Sequence, residues 1–387
     1  MAIVPFLVAL SAAQGGPVEV PFLSTANAII VDANVNGKQL SFMFDTGFGG
    51  AFVVDNSVNL GKSTGKMTLR DFVGQFEADT VKLSSVKLGA KTIQSKDMEA
   101  VMQPADFSFS YNTHCDGIMG LEVVKNEVTE INFEKSKFVF HPKSMDITKR
   151  TPDNKRTFLV KMLPMGHNSV EMEVVASTGK KLILGLDTGN SFYATTHRDV
   201  LERVGLWPAD KKPIFLKQSM VASGPVDSWH KKMENATIYG VPVQTSYWDI
   251  IDLPSSSAEH DGTVGHGFLK NFNIIIDYER RRVWLENWTG VVMNEPTGEP
   301  GITAVYSERM KKVVIVNVAP ESPAAKAGVK EGDNLLSIDG KEMSGSIGYR
   351  ELEALIDGKV GTKVTLSVSR RGELIRLQLD RVPLVND

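Results

Sequence analysis

Short apolar runs separated by polar turns predict that most of this chain folds into β-strands. Residues 28–35 and 40–44 are rich in apolar side chains and flank the dipeptide Asn36-Gly37. This is the sequence signature of a β-hairpin with a tight turn, and it places Asp45 directly at the end of the second strand. Further short strands are predicted at 80–88, 92–98 and 137–141.

The same arrangement recurs in the middle of the chain. Residues 171–176 and 181–186 predict a second hairpin, and Asp187 follows its second strand directly. A short helix is predicted at 199–204, and the polar stretch 143–155 predicts the crossing between two halves. The pattern therefore predicts two β-rich halves, each of which delivers one aspartate at the end of a strand.

The residues at these strand ends are themselves repeated. Asp-Thr-Gly occurs at 45–47 and at 187–189, which are 142 residues apart. A second motif, Asp-Gly-x-x-Gly, occurs at 116–120 and 261–265. The Lys-Asn pair and the glutamate downstream of each copy keep the same displacement of 145 residues. An ungapped repeat of this length indicates a duplicated lobe.

A pair of aspartates, one from each lobe, is suited to the activation of water. Two carboxyl groups held about 3 Å apart cannot both ionise easily, so one accepts a proton from water while the other donates one. A single Asp-Thr-Gly indicates only a β-turn, but two copies in a duplicated framework favour catalysis by Asp45 and Asp187. Asp116 and Asp261 are expected to be structural, because they precede the same motif in both lobes.

With these motifs, residues 17–290 resemble a two-lobed aspartic protease of the pepsin type, in which each lobe resembles one subunit of a retroviral protease. In that family a hydrophobic-hydrophobic-Gly motif crosses behind each aspartate loop. Residues 118–120 and 263–265 occupy its place, with Thr263 replacing an aliphatic residue. The resemblance implies a mainly β, bilobal, pepsin-like double β-barrel. It also implies an endopeptidase that hydrolyses a polypeptide with water held by Asp45 and Asp187.

The resemblance also assigns roles to the residues beside the two aspartates. Each threonine of the repeated triplet is implied to cross-brace the two loops by hydrogen bonds. Each glycine is implied to let the backbone approach a carboxylate closely. The supporting loop residues are Thr46, Gly47, Thr188, Gly189, Asn190 and Ser191.

Two features depart from the pepsin pattern. Phe48 stands where pepsins usually place a small hydroxyl residue that hydrogen-bonds the catalytic carboxylate. We therefore expect the protonated form of Asp45 to be favoured and the pH optimum to move toward neutrality. The flap is expected at 68–76, where no tyrosine occurs and Phe72 is the candidate for its packing role. The same stretch is equally compatible with a surface hairpin that buries Phe72 and Phe76.

The character of the chain changes after the turn-rich stretch 297–301. The sequence Ser-Pro-Ala-Ala-Lys-Ala-Gly at 322–328 and the pair Gly332-Asp333 resemble bacterial, circularly permuted PDZ domains. The resemblance implies a small β-barrel with flanking helices, one of them at 349–356, and a groove that binds a C-terminal peptide by strand addition. The alternative is a structural PDZ domain that only packs on the protease. The residues expected in the carboxylate-binding loop are Gly301, Ile302 and Thr303.

Composition narrows the possible partners and cofactors. The 387 residues are 42% apolar and 23% charged with a net charge of −3, which are the values of an ordinary globular protein of two or three domains. The absence of a long basic run argues against nucleic acid, and no apolar stretch is long enough for a stable membrane span. The single cysteine, Cys115, excludes an intrachain disulfide. Without His-Glu-x-x-His, paired cysteines or a Walker loop, we expect neither a metal nor a cofactor.

The first residues favour export. Residues 2–10 form a short apolar run, and Ser11-Ala12-Ala13 offers a small-x-small cleavage site. A positive n-region is missing, and the alternative is an apolar first strand or tail of the mature protein. Export without disulfides fits a bacterial envelope, so we expect a periplasmic or extracellular protein.

These observations divide the chain into four parts. Residues 1–16 are a possible signal peptide or leader remnant, 17–150 and 151–296 are the two protease lobes, and 297–387 are the PDZ domain. The sequence predicts an aspartic endopeptidase whose PDZ domain recognises a peptide. The alternative is a catalytically inactive, pepsin-fold peptide-binding or scaffold protein that acts through its PDZ domain.

Overall fold

Strands dominate the fold, as the apolar pattern predicts. The computed structural model describes residues 16–70, 75–105, 107–111, 113–164, 169–221, 224–255 and 261–387. Residues 1–15, which carry most of the expected leader, and the flap candidate Phe72 lie outside the described residues. Across the described ranges, no helix is long and apolar enough to cross a membrane.

The first half of the duplicated region consists of short strands with one short helix. The strands are β1 (Val18–Pro21), β2 (Leu23–Ser24), β3 (Ile29–Val35), β4 (Lys38–Asp45), β5 (Phe52–Asp55), β6 (Gly65–Arg70), β7 (Gln75–Lys82), β8 (Val86–Leu88), β9 (Lys91–Ile93), β10 (Glu99–Gln103), β11 (Gly117–Gly120), β12 (Val128–Asn132) and β13 (Lys137–His141). Helix α1 is Phe107–Tyr111, and 3₁₀ turns lie at Leu121–Val123 and Ile147–Lys149. One sheet runs β6-β7-β10-β5-β11-β4-β3-β8-β9, with β2 paired to β3.

Strand β11 lies between the strand that delivers Asp45 and the next strand of the same sheet. It runs parallel to β4, with Gly120 opposite Asp45, and antiparallel to β5. A Cβ atom on Gly120 would lie 2.3 Å from the carbonyl oxygen of Gly50. The glycine of this motif is therefore required by the close approach of the loop that follows the aspartate.

Two predicted strands are interrupted by turns. The run at 92–98 does not form one strand, because the Met98 N–H bonds the carbonyl of Ser95 and closes a turn between β9 and β10. The run at 80–88 is divided between β7 and β8. In both places the apolar side chains flank the turn, so composition alone did not locate the break.

The second half repeats the arrangement and adds a long hairpin. Its strands are β14 (Thr157–Lys161), β15 (Glu171–Val175), β16 (Lys181–Leu186), β17 (Ala194–His197), β18 (Lys217–Val221), β19 (Gly224–Ile238), β20 (Val241–Ile251), β21 (Gly262–Val264), β22 (Phe272–Asp277) and β23 (Arg282–Asn287), and its helices are α2 (Arg198–Val204) and α3 (His266–Leu269). The sheet order is β15-β16-β21-β17-β20-β19-β18. Strand β21 lies between β16 and β17, as β11 lies between β4 and β5.

A third sheet joins the two halves. Its order is β1-β13-β12-β22-β23-β14, and the join is the antiparallel pair β12 and β22, with Val128 opposite Asp277. One hydrophobic core extends through both halves, and Phe44 and Phe138 pack in it with ring centroids 4.9 Å apart. The two halves are therefore one packed body that shares a continuous sheet.

The C-terminal part has a sheet and a core of its own. Its strands are β24 (Gly298–Glu299), β25 (Ile302–Ser307), β26 (Lys312–Val318), β27 (Asn334–Ile338), β28 (Lys341–Glu342), β29 (Lys363–Arg370), β30 (Glu373–Asp380) and β31 (Val382–Pro383), and its helices are α4 (Pro323–Lys326) and α5 (Tyr349–Ile356). The main sheet runs β25-β26-β27-β29-β30. A separate set of buried side chains, including Leu352 of α5 and Val368 of β29, fills the space beneath it.

The residues that carry the PDZ resemblance have clear structural roles. The Ser322 hydroxyl accepts a hydrogen bond from the Ala325 N–H at 3.2 Å and caps α4, whose first residue is Pro323. The buried carboxylate of Asp333 is gripped by the Arg370 guanidinium through two bonds of 2.7 Å. The predicted helix at 349–356 is confirmed, but Ile302 and Thr303 lie in β25 rather than in a loop.

Candidate active site

The two Asp-Thr-Gly loops meet at the centre of the duplicated region. Asp45 is the last residue of β4, and Asp187 follows β16 directly. A Cβ atom on Gly47 would lie 2.7 Å from Cγ of Asp187, and a Cβ atom on Gly189 would lie 2.4 Å from Cγ of Asp45. Each carboxyl group thus packs against the glycine of the opposite loop, where any larger residue would push it away.

Two threonines tie the loops together across the centre. Thr46 Oγ1 donates to the carbonyl of Leu186 at 2.6 Å and accepts from the Thr188 N–H at 3.0 Å. The reciprocal bonds run from Thr188 Oγ1 to the carbonyl of Phe44 at 2.8 Å and from the Thr46 N–H to Thr188 Oγ1 at 3.1 Å. All of these atoms are buried, so the four bonds fix the separation of the two halves at this point.

Backbone amides hold one oxygen of each carboxylate. Asp45 Oδ1 accepts from the N–H groups of Gly47 at 2.7 Å and Phe48 at 3.2 Å. Asp187 Oδ1 accepts from the N–H groups of Gly189 at 2.9 Å and Asn190 at 3.0 Å. The near-identical pattern in the two loops leaves the second oxygen of each group available to its partner.

The two carboxyl groups contact each other, and this contact contributes to a shifted pKa of Asp45. The pKa of Asp45 is raised well above its ordinary value, first by burial, then by the charge of Asp187 and by a hydrogen bond between the two carboxyls. The amides of Gly47 and Phe48 oppose this shift only in part. Gly47 is exposed and Asp45 is half-buried, so the pair can be reached from solvent.

Asn190 and Ser191 occupy different positions relative to the pair. The Asn190 amide donates to Thr195 Oγ1 at 2.9 Å and to Thr263 Oγ1 at 2.8 Å. The threonine that replaces an aliphatic residue in the second motif therefore serves as an anchor for the loop. Ser191 is half-buried in the same loop.

The Phe48 side chain has no hydroxyl to donate to Asp45 and packs in an apolar environment instead. The ring packs beside a small apolar cluster that includes Ile30, Met43 and Val53. Its backbone N–H still donates to Asp45. A Cβ atom on Gly50 would lie 2.5 Å from the ring, so the loop needs glycine there to admit so large a side chain.

The aspartates of the second repeat hold strands in place. Asp116 Oδ2 accepts from the Ser41 N–H at 2.8 Å, and Asp261 Oδ2 accepts from the Ile183 N–H at 2.9 Å. Each therefore bonds the strand that leads to the aspartate of its own lobe, which is the structural part expected of them.

Sequence reasoning missed Tyr111, the last residue of α1. Burial raises the pKa of its hydroxyl, and its ring packs against the same apolar cluster as Phe48, the third residue after Asp45. The guanidinium of Arg350, on α5, lies over its ring at 5.2 Å from the centroid. Among the described residues of the second half, no helix stands at the position that corresponds to α1, so the repeat gave no signal for it.

The expected flap and the PDZ loop are only partly defined. Strands β6 and β7 are paired, with Arg70 opposite Gln75, and the flap candidate Phe72 lies outside the described residues. Gly301 has a φ of +87°, and its carbonyl accepts from the Ala319 N–H at 2.9 Å. Thr303 is buried in β25.

Within the described ranges, no group of three or more His, Cys, Asp or Glu residues is arranged to hold a metal ion.

We expect the replacement of Thr46 by valine to destabilise the joined halves by about 2–4 kcal/mol. The nearly isosteric change leaves the carbonyl of Leu186 and the N–H of Thr188 buried without their partner, and each such group costs about 1–3 kcal/mol. Urea unfolding followed by tryptophan fluorescence measures the effect. Thr365→Val, on an exposed position of β29, is the matched control. Equal stability of the two variants would contradict the cross-brace.

Asp45→Asn should stabilise the protein near pH 7 and have little effect near pH 3. Because the folded state raises the pKa of Asp45, the wild type loses stability as pH rises from about 4, where an unfolded aspartate ionises. Asparagine removes this cost, which we expect to be roughly 1–2 kcal/mol. Thermal unfolding at both pH values measures it, with the exposed Asp210→Asn as control. A lower Tm at pH 7 than the wild type would contradict the charge repulsion.

A sequence model of the PDZ domain family matches residues 290–380, which confirms a PDZ domain in this part of the chain. The carboxy-terminal processing protease CtpA of Bacillus subtilis is 42% identical over 72 residues, or 19% of this chain and 15% of that protein. A putative zinc metalloprotease of Brucella suis is 31% identical over 75 residues, or 19% of each. The chain spans less than a fifth of the length of these two relatives. Among solved structures, an aspartic proteinase from Irpex lacteus aligns with a TM-score of 0.42 and 14% identity, over 71% of this chain and 98% of that one.

Proposed function

We propose that the chain is an aspartic endopeptidase with a pepsin-like bilobal fold, in which Asp45 and Asp187 activate water. One observation carries this proposal: two carboxyl groups from duplicated loops are held in contact, and burial together with the charge of Asp187 raises the pKa of Asp45. Water bridging such a pair lies between an ionised carboxylate and a protonated one, which is the arrangement that acid–base hydrolysis needs.

The ionised carboxylate removes a proton from water while the water oxygen bonds to the peptide carbonyl carbon. The protonated carboxyl donates its proton to the carbonyl oxygen, and a tetrahedral intermediate forms. A proton then passes to the leaving nitrogen as the carbon–nitrogen bond breaks, which gives an acid and an amine. The two groups exchange roles within the cycle, so they titrate as a pair and not as separate residues.

The substrate in this proposal is a polypeptide in an extended conformation. In this proposal the substrate reaches the carboxyl pair at the exposed Gly47. The β6–β7 hairpin lies in the same sheet as β4, the strand that ends at Asp45. The related proteins are named as proteases, which supports proteolysis for this chain. The name of the Brucella suis relative indicates zinc chemistry, and the similarity to both relatives covers about a fifth of the chain. The aspartic mechanism therefore rests on the carboxyl pair alone.

The PDZ domain in this proposal recognises a peptide, and neither a metal nor a cofactor takes part in hydrolysis. Strand β25 lies at the edge of its sheet and α5 packs beside it, which is the layout for peptide binding by strand addition. Export to a bacterial periplasm or exterior remains a prediction from residues 1–16.

Cleavage of an unfolded protein substrate tests the proposal directly. We expect the wild type to cut, and Asp45→Asn and Asp187→Asn each to lose more than about 1,000-fold in kcat/KM, because each removes one half of the acid–base pair. Asp210→Asn, an exposed aspartate of the same region, should retain full activity. If the folded wild type cuts nothing between about pH 3 and pH 8, the chain is either the inactive peptide-binding protein or a latent protease that needs a ligand of its PDZ domain.

The pH–rate profile tests the effect of Phe48. The raised pKa of Asp45 means that the pair keeps its proton to higher pH, so the alkaline limb should lie above the ordinary aspartate range of about 4. Phe48→Ser adds a hydroxyl donor that stabilises the ionised form and should move this limb to lower pH. A wild-type maximum well below about pH 5, or an unmoved limb in the variant, would contradict this account.

A further inference from the structure

The peptide groove of the PDZ domain is closed by the second half of the protease region. Its two walls are β25, through Ile302 and Ala304, and α5, through Tyr349 and Ile356. The third side is Lys217, the first residue of β18, which is the edge strand of its sheet. The remaining cavity is too small for a peptide strand, so the groove has an occupant within its own chain.

Polar contacts hold this occupant in place. The Tyr349 hydroxyl donates to the backbone carbonyl of Gln218 at 2.9 Å. The Lys217 ammonium lies 3.8 Å from Glu299 Oε1, and His230 Nδ1 lies 2.9 Å from the same oxygen. Burial would raise the pKa of Glu299, but Lys217 and His230 outweigh it and lower the pKa to about 2. Glu299 is therefore an ionised carboxylate paired with two basic side chains, of which Lys217 belongs to β18.

Residues just before β18 are fastened from the other side. The Asn386 side-chain carbonyl accepts from the N–H groups of Ile214 at 2.6 Å and Phe215 at 3.1 Å. Its backbone N–H donates to the carbonyl of His230 at 2.8 Å. The C-terminal part of the chain therefore contacts residues 214–218 from two sides: the groove binds one end, and the stretch that follows β31 binds the other.

The helix that forms the groove also reaches the catalytic cleft. Arg350 follows Tyr349 on α5, and its guanidinium covers the ring of Tyr111, which packs against the same apolar cluster as Phe48 of the Asp45 loop. Helices α1 and α5 are in contact. One helix of eight residues thus contacts β18 through Tyr349 and contacts Tyr111 of α1 through Arg350.

We propose that β18 is an intramolecular ligand of the PDZ groove, and that its docking restrains the active site by holding Arg350 against Tyr111. A peptide that enters the groove must displace Lys217 and Gln218 and move α5, which releases Tyr111 and widens the cleft. This regulation rests on the proposed function of the carboxyl pair. Because a tethered segment competes at a high effective concentration, the undocked form is a minor state of the free protein.

Variants of the full-length protein that weaken docking test the proposal. Lys217→Met removes the charge opposite Glu299, and Tyr349→Phe removes the bond to Gln218. We expect each to raise kcat/KM for an unfolded protein substrate by about fivefold or more, the scale of a typical coupling between sites. Hydrogen exchange at the backbone amides of α1 and α5 should become faster in both variants. Lys137→Met, which removes an ion pair with Glu19, and Tyr278→Phe, which removes a bond to the Ser169 carbonyl, are matched controls outside the groove and should change neither readout.

The two readouts separate this proposal from the proposed function. If the protein is active and the docking variants show unchanged or lower kcat/KM, the restraint is wrong. If no cleavage depends on Asp45, the aspartic mechanism fails, and hydrogen exchange alone decides the docking. Faster exchange in α1 of Lys217→Met and Tyr349→Phe then supports the link between groove and cleft, and unchanged exchange in α1 overturns it.

Discussion

The rest of the structure depends on two like-charged groups that are held closer together than their charges favour. Water would separate two carboxylates, or hydrate each of them, at little cost. Here burial removes that option, two amides fix one oxygen of each group, and the reciprocal bonds of Thr46 and Thr188 prevent the loops from moving apart. The repulsion is relieved by a retained proton instead. Neither half of the repeat has this property alone, because a single copy is an ordinary turn with one aspartate.

Much of this site could be predicted from the sequence, because each copy of the repeat acts through residues that lie in its own lobe. Each aspartate follows a strand that its own hairpin defines, and the glycine motif of β11 or β21 must lie beside that strand. The duplication then specifies that two such loops exist, although not that they touch. The caps and turns of the PDZ domain were equally local, since Ser322, Pro323 and Asp333 act within a few residues of their partners or on one arginine.

The parts that sequence reasoning missed are those in which distant segments meet without symmetry. Tyr111 lies in a helix with no counterpart among the described residues of the second half, and Arg350 approaches it from another domain. Lys217 and Glu299 are separated by 82 positions, and no pattern in either segment marks the other. Contacts of this kind are set by how the PDZ domain packs against the duplicated region, and this packing depends on the shape of whole surfaces. The prediction of one strand at 92–98 was wrong for the opposite reason. There a local turn outweighed the apolar composition.

The sheet that joins the two halves has a consequence for biosynthesis. Strand β12 is paired on one side with β13, but its other side is satisfied only by β22, about 145 residues later in the chain. At a translation rate of about 5–20 residues per second, the first half waits on the order of ten seconds with an unpaired strand edge. Such an edge is a template for pairing with other chains, and non-local pairing is intrinsically slow. The nascent protein therefore has a period of vulnerability to aggregation that the finished fold no longer shows, and a chaperone that covers strand edges would act in that interval.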